Sequence, residues 1–146
     1  MKTIRITKEF DFEMAHALEG YDGLCANIHG HSYRLWVTVR GDIKEDKGHV
    51  KDGMLMDFSD LKKIVKSLIV DKYDHSLVLQ DNSPHSKVDL SMFDKVFYLP
   101  YQPTSENLVY DFALTIKDKI PKGLELYKVI LSETRKSFAE WNINDH

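Results

Sequence analysis

The chain has 146 residues, 42% hydrophobic and 29% charged, with 20 basic against 23 acidic side chains and a net charge of −3. That bounds it to one domain, residues 1–146, with a real core, and the absence of a Lys/Arg run argues against a nucleic-acid partner. No apolar run approaches the roughly 20 residues of a membrane helix, the start lacks a signal-peptide pattern, and a lone cysteine excludes an intrachain disulfide framework, so the expected location is cytoplasmic.

Ile4, Phe10, Phe12, Met14 and His16 share one parity, and "FDFEMAH" alternates clearly, which predicts a first strand. The Gly-containing loop "EGYDGLCAN" follows. A second strand then places Tyr33, Leu35, Val37 and Val39 opposite Ser32, Arg34, Thr38 and Arg40, with Trp36 on the polar face. "MLMDF" reads as a short apolar strand, and Ser59 as the cap of a helix. Leu61, Ile64, Val65, Leu68 and Ile69 make its single apolar stripe. "YDHSLVL" closes this element, "QDNSPHSKVD" is a loop, and "KVFYLP" is a short strand. Pro103 precedes a second helix that Thr104 or Ser105 can cap, with Leu108, Phe112 and Ile116 as its stripe. In the last strand, "ELYKVILSET", Tyr127, Val129, Leu131 and Glu133 lie on one face. The expected fold is α+β: an antiparallel four-stranded sheet with two helices on one face. Two helices cannot cover every apolar strand face, so the surplus is expected to pack against other subunits.

Side chains at i and i+2 of a strand point the same way. His29 and His31 satisfy this at the start of the second strand, and His16 ends the first. An antiparallel hairpin brings all three to one rim, where three imidazoles plus an open position suit a catalytic Zn²⁺. One histidine alone would read as a core residue; three at matching strand ends read as a metal site.

Cys25 has three readings from spacing alone. It is a fourth ligand closing a structural site, a thiol of depressed pKa acting as base or nucleophile, or an inert buried side chain. Asp74 beside His75 can fix an imidazole's tautomer for acid–base work, or His75 simply complements a helix C-terminus. Glu133 on an apolar face needs hydrogen-bond partners, such as the paired N–H groups of a heterocycle, unless the strand has ended and it faces water. Glu106 could be only a favourable acid in a helix's first turn.

Together "FDFEMAH", "CANIHGHSY", "GMLMDFSDLK", "YDH", "PTSEN" and "SET" resemble, in order, the 6-pyruvoyltetrahydropterin synthase / 6-carboxytetrahydropterin synthase family. The resemblance implies the tunnelling fold (T-fold) in an oligomeric barrel, a homohexamer with sites between subunits. It implies zinc on His16, His29 and His31, Cys25 as general base, and Asp74 and His75 as the other acid–base group. Glu133 would anchor the pterin ring, with Thr104, Ser105 and Glu106 close by. The substrate implied is 7,8-dihydroneopterin triphosphate. The Cys-x₃-His-Gly-His spacing resembles the bacterial 6-carboxytetrahydropterin synthases of queuosine synthesis; a pyruvoyl-forming synthase is the alternative, and a structural zinc-binding oligomer the non-enzyme one. Two positions depart from the family's pattern: Ala17 stands where many members carry a basic residue, and Leu79-Gln80 where Asn or Asp is frequent.

Overall fold

The computed structural model describes residues 1–20, 23 and 26–146. Strands β1 (Thr3–His16) and β2 (His29–Asp42) form a long antiparallel hairpin, paired from Thr3 with Asp42 to His16 with His29. Their alternation sorts most of the residues as expected: Phe12, Met14, Tyr33, Leu35, Val37 and Val39 are buried, although Ile4 at the start of β1 is exposed and Thr38 on the other face is buried; the Phe12 and Tyr33 rings stack 5.3 Å apart. Helix α1 (Phe58–Val65) continues through a π-helical turn, Lys66–Val70, to a last turn at Asp71–Tyr73. Helix α2 spans Ser105–Lys117. Leu61, Val65 and Ile69 from the first, and Leu108, Phe112 and Ile116 from the second, join one cluster with the buried faces of β1 and β2. Burial of such side chains stabilises by about 1.5–3 kcal/mol each, which outweighs the weak intrinsic preference of these short helices.

The sheet has six strands rather than four, in the order β4-β3-β1-β2-β5-β6, and it is mixed rather than antiparallel. β3 (Ser76–Gln80) runs parallel to β1, and β4 (Val96–Leu99) runs parallel to β3. Each parallel step needs a long crossover; α1 provides part of the first, and residues 81–95 with the 3₁₀ turn Pro84–Lys87 provide the second. "SLVLQ" is therefore an interior strand, one in from the sheet's edge, not the tail of a helix. β5 (Glu125–Thr134) pairs with β2, and β6 (Ser137–Asn142) folds back on β5 through Arg135 and Lys136.

Three local expectations are also corrected. "MLMDF" forms no strand: Leu55 and Met56 are consecutive and both buried, which an alternating strand with one covered face cannot achieve. Asp57, not Ser59, caps α1, its carboxylate accepting from the Ser59 N–H at 2.8 Å. Along β5 a register shift opposite Thr38 and Val39 moves Leu126 into the core. Tyr127 turns out of that line and lies under the guanidinium groups of Arg5 and Arg40, 4.1 and 4.7 Å from its ring centre.

On the sheet's other face Trp36, Ile130 and the 66% exposed Phe138 border a shallow hollow. Among the described residues no helix is long and apolar enough to cross a membrane.

Candidate metal and acid–base site

Strand register sets the site. Opposite His16 stands His29, and opposite Met14 stands His31, so all three imidazoles meet at the loop end of the hairpin. One ring nitrogen from each lies within 4.8 Å of the others. The ring planes are steeply inclined to one another, with centres 4.6–5.1 Å apart.

Backbone carbonyls fix the tautomers. His16 Nδ1–H donates to the Pro103 carbonyl at 2.7 Å, and His29 Nδ1–H to the Asn27 carbonyl at 2.7 Å. A carbonyl only accepts, so Nδ1 carries a proton in both rings, and in the neutral form of each ring Nε2 keeps its lone pair. These two Nε2 atoms are 3.0 Å apart, an unfavourable approach for two acceptors when both rings are neutral. Two nitrogens on a tetrahedral zinc at about 2.0–2.1 Å stand roughly 3.3 Å apart. His31 Nε2 is buried with no hydrogen-bond partner.

Protonation follows the same logic. Burial pushes the His16 pKa down to about 4, helped by His29 and His31 and opposed by the Pro103 carbonyl. Burial, then His29, also lowers His31. In their neutral forms, imidazoles with converging ring nitrogens offer the lone pairs a borderline-soft cation requires, so the donor set fits zinc. The carbonyls behind two of the three rings are the kind of outer shell that would hold metal-ligating histidines in place.

Glu133 stands beside this cluster, its Oε2 3.9 Å from His31 Nε2. Burial raises its pKa first and the Glu106 carboxylate second, while His29 and the Ser105 backbone N–H pull it down. With His31 lowered and Glu133 raised, the approach is not an ion pair. Thr104 caps α2, its hydroxyl accepting from the Asn107 N–H at 3.2 Å, and Ser105 Oγ donates to Glu106 at 2.8 Å. The start of α2 thus brings Thr104, Ser105 and Glu106 to the Glu133 side of the cluster.

Asp74 and His75 follow the last helical turn. His75 is held at φ 62°, a left-handed conformation uncommon for a residue with a Cβ. Its N–H donates to the Glu13 carbonyl at 2.6 Å, and Asp74 Oδ1 accepts from the Glu13 N–H at 2.9 Å. Asp74 Oδ1 also lies 3.1 Å from His75 Nδ1. The Glu13 N–H, aided by His75 and Lys95 against desolvation, holds the Asp74 carboxyl below its usual range. His75 and His31 border the same cavity of about 870 Å³, with Glu13, Ile28, Phe93 and Lys95. Cys25 lies outside the described residues.

Sequence reasoning missed the Pro103 carbonyl, which lies 87 positions from His16, and the brace formed by Glu13. Backbone acceptors carry no sequence signal. Ala17 is buried, 1% exposed.

A family model described as 6-pyruvoyl tetrahydropterin synthase matches residues 5–144. The chain belongs to the 6-pyruvoyl tetrahydropterin synthase family. Within that family, it is 38% identical over 141 residues to the 6-carboxy-5,6,7,8-tetrahydropterin synthase of Haemophilus influenzae, covering 94% of this chain and 97% of that one. It is 32% identical over 145 residues to the protein of the same name from Rickettsia bellii, covering 94% and 99%. The solved structure of Caenorhabditis elegans 6-pyruvoyl tetrahydropterin synthase superposes with a TM-score of 0.69 at 26% identity, covering 97% and 96%. A Wolinella succinogenes protein described as uncharacterized superposes with a TM-score of 0.80 at 18% identity, covering 98% and 99%, which speaks to the fold alone.

Proposed function

We propose that this chain is a zinc-dependent 6-carboxy-5,6,7,8-tetrahydropterin synthase, a lyase converting 7,8-dihydroneopterin triphosphate and water to 6-carboxytetrahydropterin, acetaldehyde and triphosphate. The observation that carries the reading is the convergence of the three imidazoles, with the Nε2 atoms of His16 and His29 turned inward. The names of the Haemophilus influenzae and Rickettsia bellii relatives support the carboxy product.

In this reading His16, His29 and His31 hold zinc, which supplies Lewis acidity to the substrate's polyol arm. Glu133 accepts hydrogen bonds from the N–H edge of the pterin ring and fixes its register, with Thr104, Ser105 and Glu106 shaping the same end of the site. Cys25, as thiolate, removes a proton from carbon on that arm. His75, oriented by Asp74, moves the hydroxyl proton. Elimination expels triphosphate, and water then cleaves the carbon–carbon bond of the side chain, its oxygen going to the 6-carboxylate and a hydrogen to the acetaldehyde released. The enzyme works as a homohexamer with sites between subunits, in the cytoplasm, and serves queuosine synthesis; the apolar patch of Trp36, Ile130 and Phe138 supports a buried sheet face.

The test is incubation of the zinc-loaded protein with dihydroneopterin triphosphate, with an acetaldehyde trap and mass identification of the pterin. A 6-carboxy product with trapped acetaldehyde supports the proposal. A 6-pyruvoyl product without acetaldehyde replaces it with the pyruvoyl-forming activity, and an unaltered substrate refutes both. Cys25→Ala separates base from ligand: zinc retained with activity lost supports the base, whereas zinc lost points to a closed structural site.

A further inference from the structure

The Asp74–His75 corner needs a support that the catalytic reading does not name. His75 sits in left-handed backbone directly after a helix end, where the last carbonyls of the helix have no partners within it. Lys95, 20 residues further on and in a loop, supplies them. Its Nζ donates to the Asp71 carbonyl at 2.8 Å and to the Asp74 carbonyl at 2.8 Å. Its own backbone carbonyl accepts from the Leu77 N–H at 3.0 Å. Lys95 therefore grips the backbone on both sides of His75: through its ammonium at Asp71 and Asp74, and through its carbonyl at Leu77. Glu13 completes the brace from β1, donating to Asp74 and accepting from His75.

We propose that Lys95 is a positioning residue for the Asp74–His75 pair, holding the helix end so that His75 projects into the cavity it shares with His31. The functional part of this inference rests on the proposed synthase activity; the structural part does not. A cation complements a helix C-terminus, and here it does so at the corner that carries the acid–base pair. Because its ammonium is engaged by two carbonyls, Lys95 acts on His75 through the backbone and not as a ligand for the substrate's phosphates, although it borders the cavity.

The experiment compares the full-length, zinc-loaded protein with Lys95→Met, which keeps the aliphatic stem, and Lys95→Arg, which keeps the charge. Hydrogen exchange of the His75 amide, bonded to Glu13, is read first. It is expected to speed up by about tenfold or more in Lys95→Met, to recover in Lys95→Arg, and to leave the Val37 amide in the sheet unchanged. In turnover, kcat is expected to fall by about tenfold or more, as displacement of a catalytic group does, with KM and zinc content unchanged. Should Lys95→Met not fold, Lys95→Gln carries the same expectations. Unchanged exchange at His75 overturns the proposal, as does a raised KM with unchanged kcat, which makes Lys95 a substrate ligand. If the wild-type protein does not turn over dihydroneopterin triphosphate, the synthase reading fails, while the exchange measurement still decides the role of Lys95.

Discussion

Individual residues decide the chemistry. His16 is 1% exposed and its Nδ1–H donates to the Pro103 carbonyl, so its replacement removes one nitrogen of the proposed zinc site and strands a buried carbonyl. Loss of outer-shell partners already costs 10–100-fold in metal affinity; His16→Ala is expected to exceed about 100-fold, measured by zinc titration against a competing chelator. Asp74 offers a pH test. Its folded-state pKa is lowered by the Glu13 N–H, so its contribution to stability is present above the unfolded value, about 3.9, and is lost as pH falls through the lower folded value. The stability gap between wild type and Asp74→Asn is therefore expected to hold near pH 7 and to close towards pH 3, read by urea denaturation at both. At this scale the sequence is informative where strand parity applies. The meeting of His16, His29 and His31 needs only a hairpin and its register. The sequence is uninformative about what stands behind the rings, since Pro103 reaches His16 only after α1, β3 and β4 have been laid down.

Elements show why parity sometimes fails. Val129 and Leu131 obey it, but the irregularity opposite Thr38 and Val39 breaks it before Tyr127, and no residue in "ELYKV" marks a bulge. β3 escapes recognition because five residues, Ser76–Gln80, are too few to separate a buried strand from a helix end. The helix stripes, longer and strongly periodic, are legible. α2 starts on Thr104, whose side chain accepts from Asn107. Thr104→Ala is expected to cost about 1 kcal/mol. Phe112→Ala, in the core against Phe12 and Tyr73, should cost about 3–5 kcal/mol. Both are measured by equilibrium denaturation, and the ranking matters more than either value. Beneath α2, burial pushes the Tyr73 pKa up to about 12, with Asp111 adding to the shift, and the Tyr101 hydroxyl donates to the same Asp111 carboxylate. This polar contact ties the segment before α2 to the helix itself.

For the whole molecule, the α+β class and the common helical layer are legible because amphipathic stripes specify which face is covered. Sheet order is not, because pairing of β1 with β3 joins residues 14–16 to residues 76–78 and no local pattern encodes that. The uncovered face makes the assembly testable. If Trp36, Ile130 and Phe138 are buried between subunits of a hexamer, Ile130→Asp places an unpaired carboxylate in that contact. Sedimentation should then show smaller species whose circular dichroism still reports the native sheet and helices; a hexamer that survives the substitution places the interface elsewhere.

All three imidazoles belong to the first 31 residues, on a hairpin whose strands are neighbours in sequence as well as in space. A ribosome-bound polypeptide will therefore have made every nitrogen of the cluster long before Pro103, Glu133 or His75 emerges. An ion captured at that stage would staple the hairpin while the crossover strands are still unmade, and zinc starvation during growth would cost yield of folded protein as well as turnover.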